Sequence, residues 1–199
     1  MNRPIILASA SSIRQEMLRN AGVSFDIKVA SLDEDSIKAS LSHEQAPVRD
    51  CADVLAELKA EKVARSNPDA LIIGSDQVLE FDGQTFSKPT DKAEAIAQLQ
   101  SLSGKLHKLY SAAVIYDQGR PVWRYIGQAK MTMRPLGDAY ISDYVDRNWD
   151  HIQYCVGGYQ IEAEGARLFS KIDGDHFSIL GMPLIQVLGY LTSLGAIDG

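Results

Sequence analysis

The run Ala70-Leu71-Ile72-Ile73-Gly74 is the strictest constraint in this 199-residue chain. It is apolar without alternation and too short for a helix. Such a strand has no side to turn toward water, so it belongs inside a sheet covered on both faces. The chain can supply that cover, because 45 % of its residues are hydrophobic and 23 % charged, too apolar a balance for disorder. At roughly 100–200 residues per domain, the length sets one domain or two closely joined lobes.

The rest of the chain reads around that strand. Residues 5–8 are a second short buried strand, followed by a serine loop. A helix follows, with Ser12 and Gln15 at capping-box spacing and Gly22 to end it. Residues 25–32 read as extended, and the acidic stretch 33–57 as mostly a solvated helix face. Val48, Ala52, Leu55 and Leu58 mark an amphipathic helix running to about Arg65. Residues 78–81 continue the buried strand, Asp82-Gly83 turns it, and 84–86 return as a hairpin. Asp91 and Glu94 open a helix to about Gln100. Two long strands, 108–116 and 122–133, flank Asp117-Gln118-Gly119. A helix covers 138–147, an extended piece follows Gly157-Gly158, and Pro183 sits in the first turn of a last helix, 184–194. Alternating strands and helices with a hairpin between them predict an α/β or α+β domain with a mixed sheet.

Charge narrows the function. Twenty Lys and Arg against 26 Asp and Glu give a formal charge of −6. That argues against a general nucleic-acid binder, which shows a basic face, and leaves room for a small anionic ligand. Cys51 and Cys155 have no metal-ligand spacing and read as two reduced thiols of a cytosolic protein. The N-terminal apolar run is too short for a signal peptide, and nothing approaches the ~20 apolar residues of a membrane span. A soluble, cytoplasmic protein without a membrane partner is the expectation.

Five segments can carry chemistry. Ser9-Ala10-Ser11-Ser12-Ile13-Arg14 joins a strand to a helix N-terminus, where free N–H groups, serine hydroxyls and a bidentate Arg14 can meet a phosphate. A plain helix cap with a surface arginine is the commoner use of such a segment. Gly74-Ser75-Asp76-Gln77 puts a carboxylate at the carboxyl end of the buried strand, where it can hold a divalent metal, accept a proton from water, or simply cap a turn. In Ser87-Lys88-Pro89 the proline stiffens a lysine that can meet a phosphate oxygen or remain a surface lysine. Ser103-Gly104-Lys105 is not a P-loop, because Leu99 stands where its first glycine belongs and Leu106 replaces Ser or Thr. His107 lacks a partner histidine and reads as a hydrogen-bonded structural residue. Gly157-Gly158 and Gly165 allow close approach to a ligand, or a bulge or turn.

Taken in order, these segments resemble the Maf family of nucleoside triphosphate pyrophosphatases. The matching stretches are Ile6-Leu7-Ala8-Ser9 with Ser11 and Arg14, Asp33-Glu34, Lys59-Ala60 and Ile72 to Val78. Lys88-Pro89, Leu102 to Lys105 with His107, Gly158-Tyr159, Gly165 and Gly181-Met182-Pro183-Leu184 complete them. They span nearly the whole chain, and the ordered set is more specific than any one piece.

The resemblance implies an α/β fold of the Maf and inosine-triphosphatase-like kind: a mixed sheet and two lobes with a central cleft, in one domain over 1–199. It implies cleavage of a nucleoside triphosphate between the α and β phosphates, a divalent metal, Mg²⁺ or Mn²⁺, and in some members a homodimer. Ser9, Arg14, Lys59 and Lys88 would meet the phosphates. Glu34 and Asp76 would hold the metal, and Asp76 is also the favoured proton acceptor. Ile13, Gln77 and Glu162 fall at base-selecting positions. Gln77 and Glu162 resemble the branch acting on 7-methyl-GTP, where a carboxylate can accept from the guanine edge. Ile13 departs from it, since that branch usually carries Trp there. A dTTP or UTP pyrophosphatase, and a nucleotide-binding regulator of septum formation with incidental catalysis, are the alternative readings.

Overall fold

In a computed structural model, which describes residues 3–198, the apolar run forms the first part of a long central strand. The elements are β1 (Ile5–Leu7), α1 (Ser12–Asn20), β2 (Asp26–Ile27), α2 (Glu34–His43), α3 (Val48–Ala64), β3 (Leu71–Phe81) and β4 (Gln84–Phe86). There follow α4 (Lys92–Leu102), β5 (Leu106–Asp117), β6 (Arg120–Met133), α5 (Asp138–Ile152), β7 (Phe169–Gly174), α6 (His176–Leu180) and α7 (Leu184–Ser193). The seven strands make one mixed sheet in the order β2-β1-β3-β5-β6-β7, with β4 also on β3. No helix among the described residues is long and apolar enough to cross a membrane.

Helices cover both faces of β3. On one face α3 packs Leu55 and Ala56 against Ile72 and Val78. On the other, α1 and α7 cover Leu7 and Ile73, and further along the sheet α4 and α5 cover Leu79 and Leu109. The edges of β3 differ. One pairs with β5 from Ile72 to Glu80. The other pairs with β1 only at Leu71–Ile73 and with β4 only at Leu79–Phe81. Residues 74–78 therefore have no strand partner on that side, and the sheet opens there.

Gly74 lets α3 lie close over this opening. A β-carbon at Gly74 would fall 2.1 Å from the Ala56 carbonyl oxygen and 2.8 Å from the Ala60 β-carbon. His107 closes the core at the other end. It is 1 % exposed, its Nε2 lies 2.8 Å from the Tyr159 hydroxyl, and Phe169 packs beside both rings. Burial lowers its pKa from 6.5 to about 4.

Two expectations change and one holds. The extended stretch 25–32 reduces to the two-residue β2, because its partner β1 has only three residues to offer. The first part of the acidic stretch is a solvated helix as expected: α2 has no fully buried residue, and its N-cap Asp33 accepts a hydrogen bond from the Ser36 N–H at 3.1 Å. Residues after Gly157-Gly158 do not extend. Both glycines have positive φ, a 3₁₀ turn spans Glu164–Leu168, and the strand begins only at Phe169. At Gly165 the chain folds onto the Gln160 carbonyl, 2.3 Å from where a β-carbon would sit.

Two glycine substitutions should move stability in opposite directions. Gly74→Val must push α3 off the sheet and should cost about 3 kcal/mol or more in urea unfolding. Gly189→Ala, in α7 with open space at the β-carbon, should stabilise by about 0.5–1 kcal/mol. Stability should also fall with acid through His107. The unfolded ring takes up a proton near pH 6.5 that the buried ring refuses until about pH 4. The contribution is complete above the unfolded pKa, is lost as pH falls through that window, and is on the order of 3 kcal/mol. Unfolding of His107→Gln across the same range should lack that part of the slope.

Candidate active site

Side chains alternate along β3 where its edge is open, so Asp76 points to the α3 face and Ser75 and Gln77 to the other. The sequence places Asp76 at a strand end. It lies instead mid-strand, but beyond the end of β1, and so still at the mouth of the parallel pair. Above it α3 carries Lys59 in a row of buried positions with Leu55, Ala56 and Val63. The Lys59 Nζ lies 2.5 Å from Asp76 Oδ1 and 2.7 Å from Glu34 Oε1, at the first residue of α2. Lys59 and Asp76 are 8 % and 6 % exposed, while Glu34 is half-buried. One ammonium thus pairs with two carboxylates from different elements and balances the charge of one of them. Burial pushes the Glu34 carboxyl up, but Lys59, with Lys38 and Lys88 farther off, outweighs it and holds the group below its ordinary value.

Arg14 secures the opposite wall. Its Nε donates to the Gly181 carbonyl at 2.8 Å, and its Nη1 donates to Ser9 Oγ at 3.1 Å and to the Ser75 carbonyl at 3.0 Å. The last bond satisfies a backbone acceptor on the open edge of β3, as a strand otherwise would. The guanidinium is buried, which lowers its pKa, and Asp76 and Glu34 partly offset that. A bidentate phosphate contact needs two free nitrogens of the fork, and Nε and Nη1 are occupied, so Arg14 fixes Ser9 in place and contributes its charge.

The capping box expected at Ser12 and Gln15 does not form. Ser11 is the N-cap and makes no side-chain cap bond, and the Gln15 amide instead donates to the Ser9 carbonyl at 3.5 Å. The box acid would sit three residues after the N-cap, at Arg14, whose side chain turns inward. The first-turn N–H groups of α1 are left facing the cleft.

That cleft has a volume of about 1160 Å³ and takes in the nine residues to which the family resemblance assigns a role: Ser9, Ile13, Arg14, Glu34, Lys59, Asp76, Gln77, Lys88 and Glu162, whereas Gly104, Lys105, His107, Gly157, Gly158 and Gly165 do not line it. Lys88 and Glu162 are exposed at its mouth. Gln77 is held by its amide nitrogen, which donates to Ser111 Oγ at 3.0 Å and to the Ser178 and Ile179 carbonyls at 3.0 and 2.9 Å. Two of these acceptors are carbonyls, so the amide cannot turn over, and Oε1 is the atom left for a ligand. Half-buried Cys155 also lines the cleft, its thiol pushed up to about 11 by burial and by Glu162.

Sequence reasoning missed how these residues hold one another. Lys59 left a legible signal, a lysine on the apolar face of an amphipathic helix. Ser111 and the Ser178 carbonyl left none, because Ser111 reaches Gln77 only through the β3–β5 register and the Ser178 carbonyl only through the packing of α6 on β5 and β6. Among the described residues, no three or more His, Cys, Asp or Glu side chains are grouped to cage a metal.

Residues 4–194 match the family described as Maf-like protein. The chain is 54 % identical to the nucleoside triphosphate pyrophosphatase of Ruegeria pomeroyi, over the full length of both proteins. It is 45 % identical to the protein of the same name from Caulobacter vibrioides, over 98 % of this chain and 97 % of that one. It is 44 % identical to the 7-methyl-GTP pyrophosphatase of Rhizobium johnstonii, again over the whole of each. A match from the first strand to the last helix, carrying every segment that lines the cleft, makes the chain a member of the Maf family.

Proposed function

We propose that the chain hydrolyses a nucleoside triphosphate between the α and β phosphates, releasing a nucleoside monophosphate and pyrophosphate. The observation that carries this reading is one cleft holding both an uncapped helix N-terminus and an ion-paired carboxylate pair. The first feature suits phosphate oxygens, and the second suits a cation and an activated water. The names of the relatives agree with it. In this reading the packing around α1 and α7 and the packing around α4 and α5 form two lobes, with the cleft between them.

The residues divide the work. Ser9 Oγ accepts from Arg14, which leaves its own proton to donate to a phosphate oxygen. The N–H groups of α1 and the charges of Arg14 and Lys88 oppose the charge that builds on the leaving pyrophosphate. Asp76 takes the proton of the attacking water. Glu34 and Asp76 fit a divalent cation of the Mg²⁺ or Mn²⁺ type. They are hard oxygen donors meeting at one point, and such ions are held by one or two carboxylates with substrate phosphates and water. When bound, that ion neutralises the triphosphate and polarises the reacting phosphoryl group.

For the base, the reading favours 7-methyl-GTP. Gln77 Oε1 and the Glu162 carboxylate are acceptors, and the guanine edge offers donors at N1 and the exocyclic amine. Ile13 lines the cleft and can contact a base but not stack on it as an aromatic ring would.

Asp76→Asn should fold and lose turnover by on the order of 10³-fold. Attack at the α phosphorus should place the oxygen of ¹⁸O-water in the monophosphate. Label in pyrophosphate would move the attack to the β phosphorus, and release of inorganic phosphate would overturn the assigned bond. Chelation should abolish turnover, and Mg²⁺ or Mn²⁺ should restore it. On a panel of 7-methyl-GTP, GTP, dTTP and UTP, the methylated guanine should give the highest kcat/KM. Preference for dTTP or UTP would leave the phosphate chemistry standing and overturn the base assignment.

A further inference from the structure

The cation position between Glu34 and Asp76 already holds a cation. Lys59 Nζ sits 2.7 Å from one carboxylate and 2.5 Å from the other. A Mg²⁺-type ion needs those oxygens at about 2.0–2.1 Å. An ammonium and a metal ion cannot both occupy the point where the two groups converge. Lys59 is also a poor candidate for simple release. Its side chain is buried, and withdrawing the ammonium with nothing in return leaves one deeply buried and one half-buried carboxylate unpaired, a costly state.

We infer that Lys59 is the resident counter-ion of the nucleotide-free site, so that the enzyme loads its metal only together with a triphosphate. The inference rests on the nucleotide reading above. A bare divalent ion must displace Lys59 while the ammonium gains no new partner. A triphosphate supplies that partner, and the four-carbon stem of lysine lets the charge swing from the carboxylates to a phosphate oxygen. The cleft favours joint loading for a second reason. Seven acidic side chains line it against four basic ones, so a polyanion entering without a cation would be repelled. Metal and triphosphate then bind with positive coupling, because each removes the obstacle to the other. Lys59 is accordingly a gate to the metal site as well as a phosphate ligand.

The test is Mn²⁺ binding to the protein without nucleotide, followed by electron paramagnetic resonance and by the thermal shift the metal induces. Wild type should bind Mn²⁺ weakly and gain no thermal stability from it. Lys59→Met, which frees both carboxylates, should bind Mn²⁺ about tenfold more tightly or better and should be stabilised by it. Lys59→Arg, which keeps the charge, should behave as wild type. Equal or weaker Mn²⁺ binding by Lys59→Met overturns the inference. Should that variant fold only when Mn²⁺ is added, the inference is supported. Should it not fold at all, wild type decides: tight, stabilising binding of Mn²⁺ alone overturns the inference, and its absence with restored binding on adding a non-hydrolysable triphosphate supports it. Failure of the nucleotide reading is seen separately, as absence of pyrophosphate release by wild type with metal and triphosphate both present.

Discussion

The backbone of α3 lies against β3 with no room for a β-carbon at Gly74, and that contact decides where the charges of the site can meet. Lys59 sits one residue before Ala60, which shares the contact, and Asp76 two residues after Gly74, on the same face of the strand. A helix carried farther from the sheet would leave the ammonium short of the carboxylate, and water would separate them. At 2.5 Å and near-complete burial the pair is instead a fixed unit. Such a pair is weak evidence for stability, since desolvating both charges costs about as much as their attraction returns. Its value lies in position: two carboxylates from elements far apart in sequence converge on one point.

The open edge of β3 is the complementary constraint. An interior strand with unpaired backbone groups costs free energy unless something else satisfies them. Here β1 stops at Leu7 and β4 starts only opposite Leu79, and the Arg14 guanidinium takes the Ser75 carbonyl between them. The same side chain reaches Ser9 and Gly181, and the Ser75 hydroxyl also donates to the Gly181 carbonyl at 3.2 Å. One buried arginine therefore ties together the serine loop, the central strand and the turn between α6 and α7. The interruption of the sheet makes the cleft, and the residue that tolerates the interruption also fixes its wall.

What was legible in the sequence is what local chemistry determines. The apolar run at 71–73, the Asp82-Gly83 turn with both residues at positive φ, and the N-cap of α4, where Asp91 accepts from the Glu94 N–H at 2.8 Å, each follow from a few adjacent residues. The serine loop was legible as a helix N-terminus but not in its details. Which serine caps α1, and whether Arg14 faces a ligand or the interior, depends on Gly181 and Ser75, far away in the chain. The path of the chain after Gly157-Gly158 is not legible for a similar reason. Its turns follow from Gly157, Gly158 and Gly165 acting together, and a glycine pair alone does not say which way the chain will leave it.

The orientation of Gln77 follows the same logic one layer out. A glutamine can offer a ligand either a donor or an acceptor, and its identity in the sequence does not say which. Here the choice is made by Ser111 and by two carbonyls of α6, all behind Gln77. The Ser111 hydroxyl donates to the Ser178 carbonyl at 2.6 Å, so toward Gln77 it can only accept. With every neighbour demanding a donor, the amide nitrogen turns inward and the carbonyl oxygen faces the cleft. A base that meets Gln77 must then bring an N–H of its own. In the proposed reading the selecting feature would be the direction of this one amide, which Ser111 and α6 set and which the glutamine's identity alone does not give.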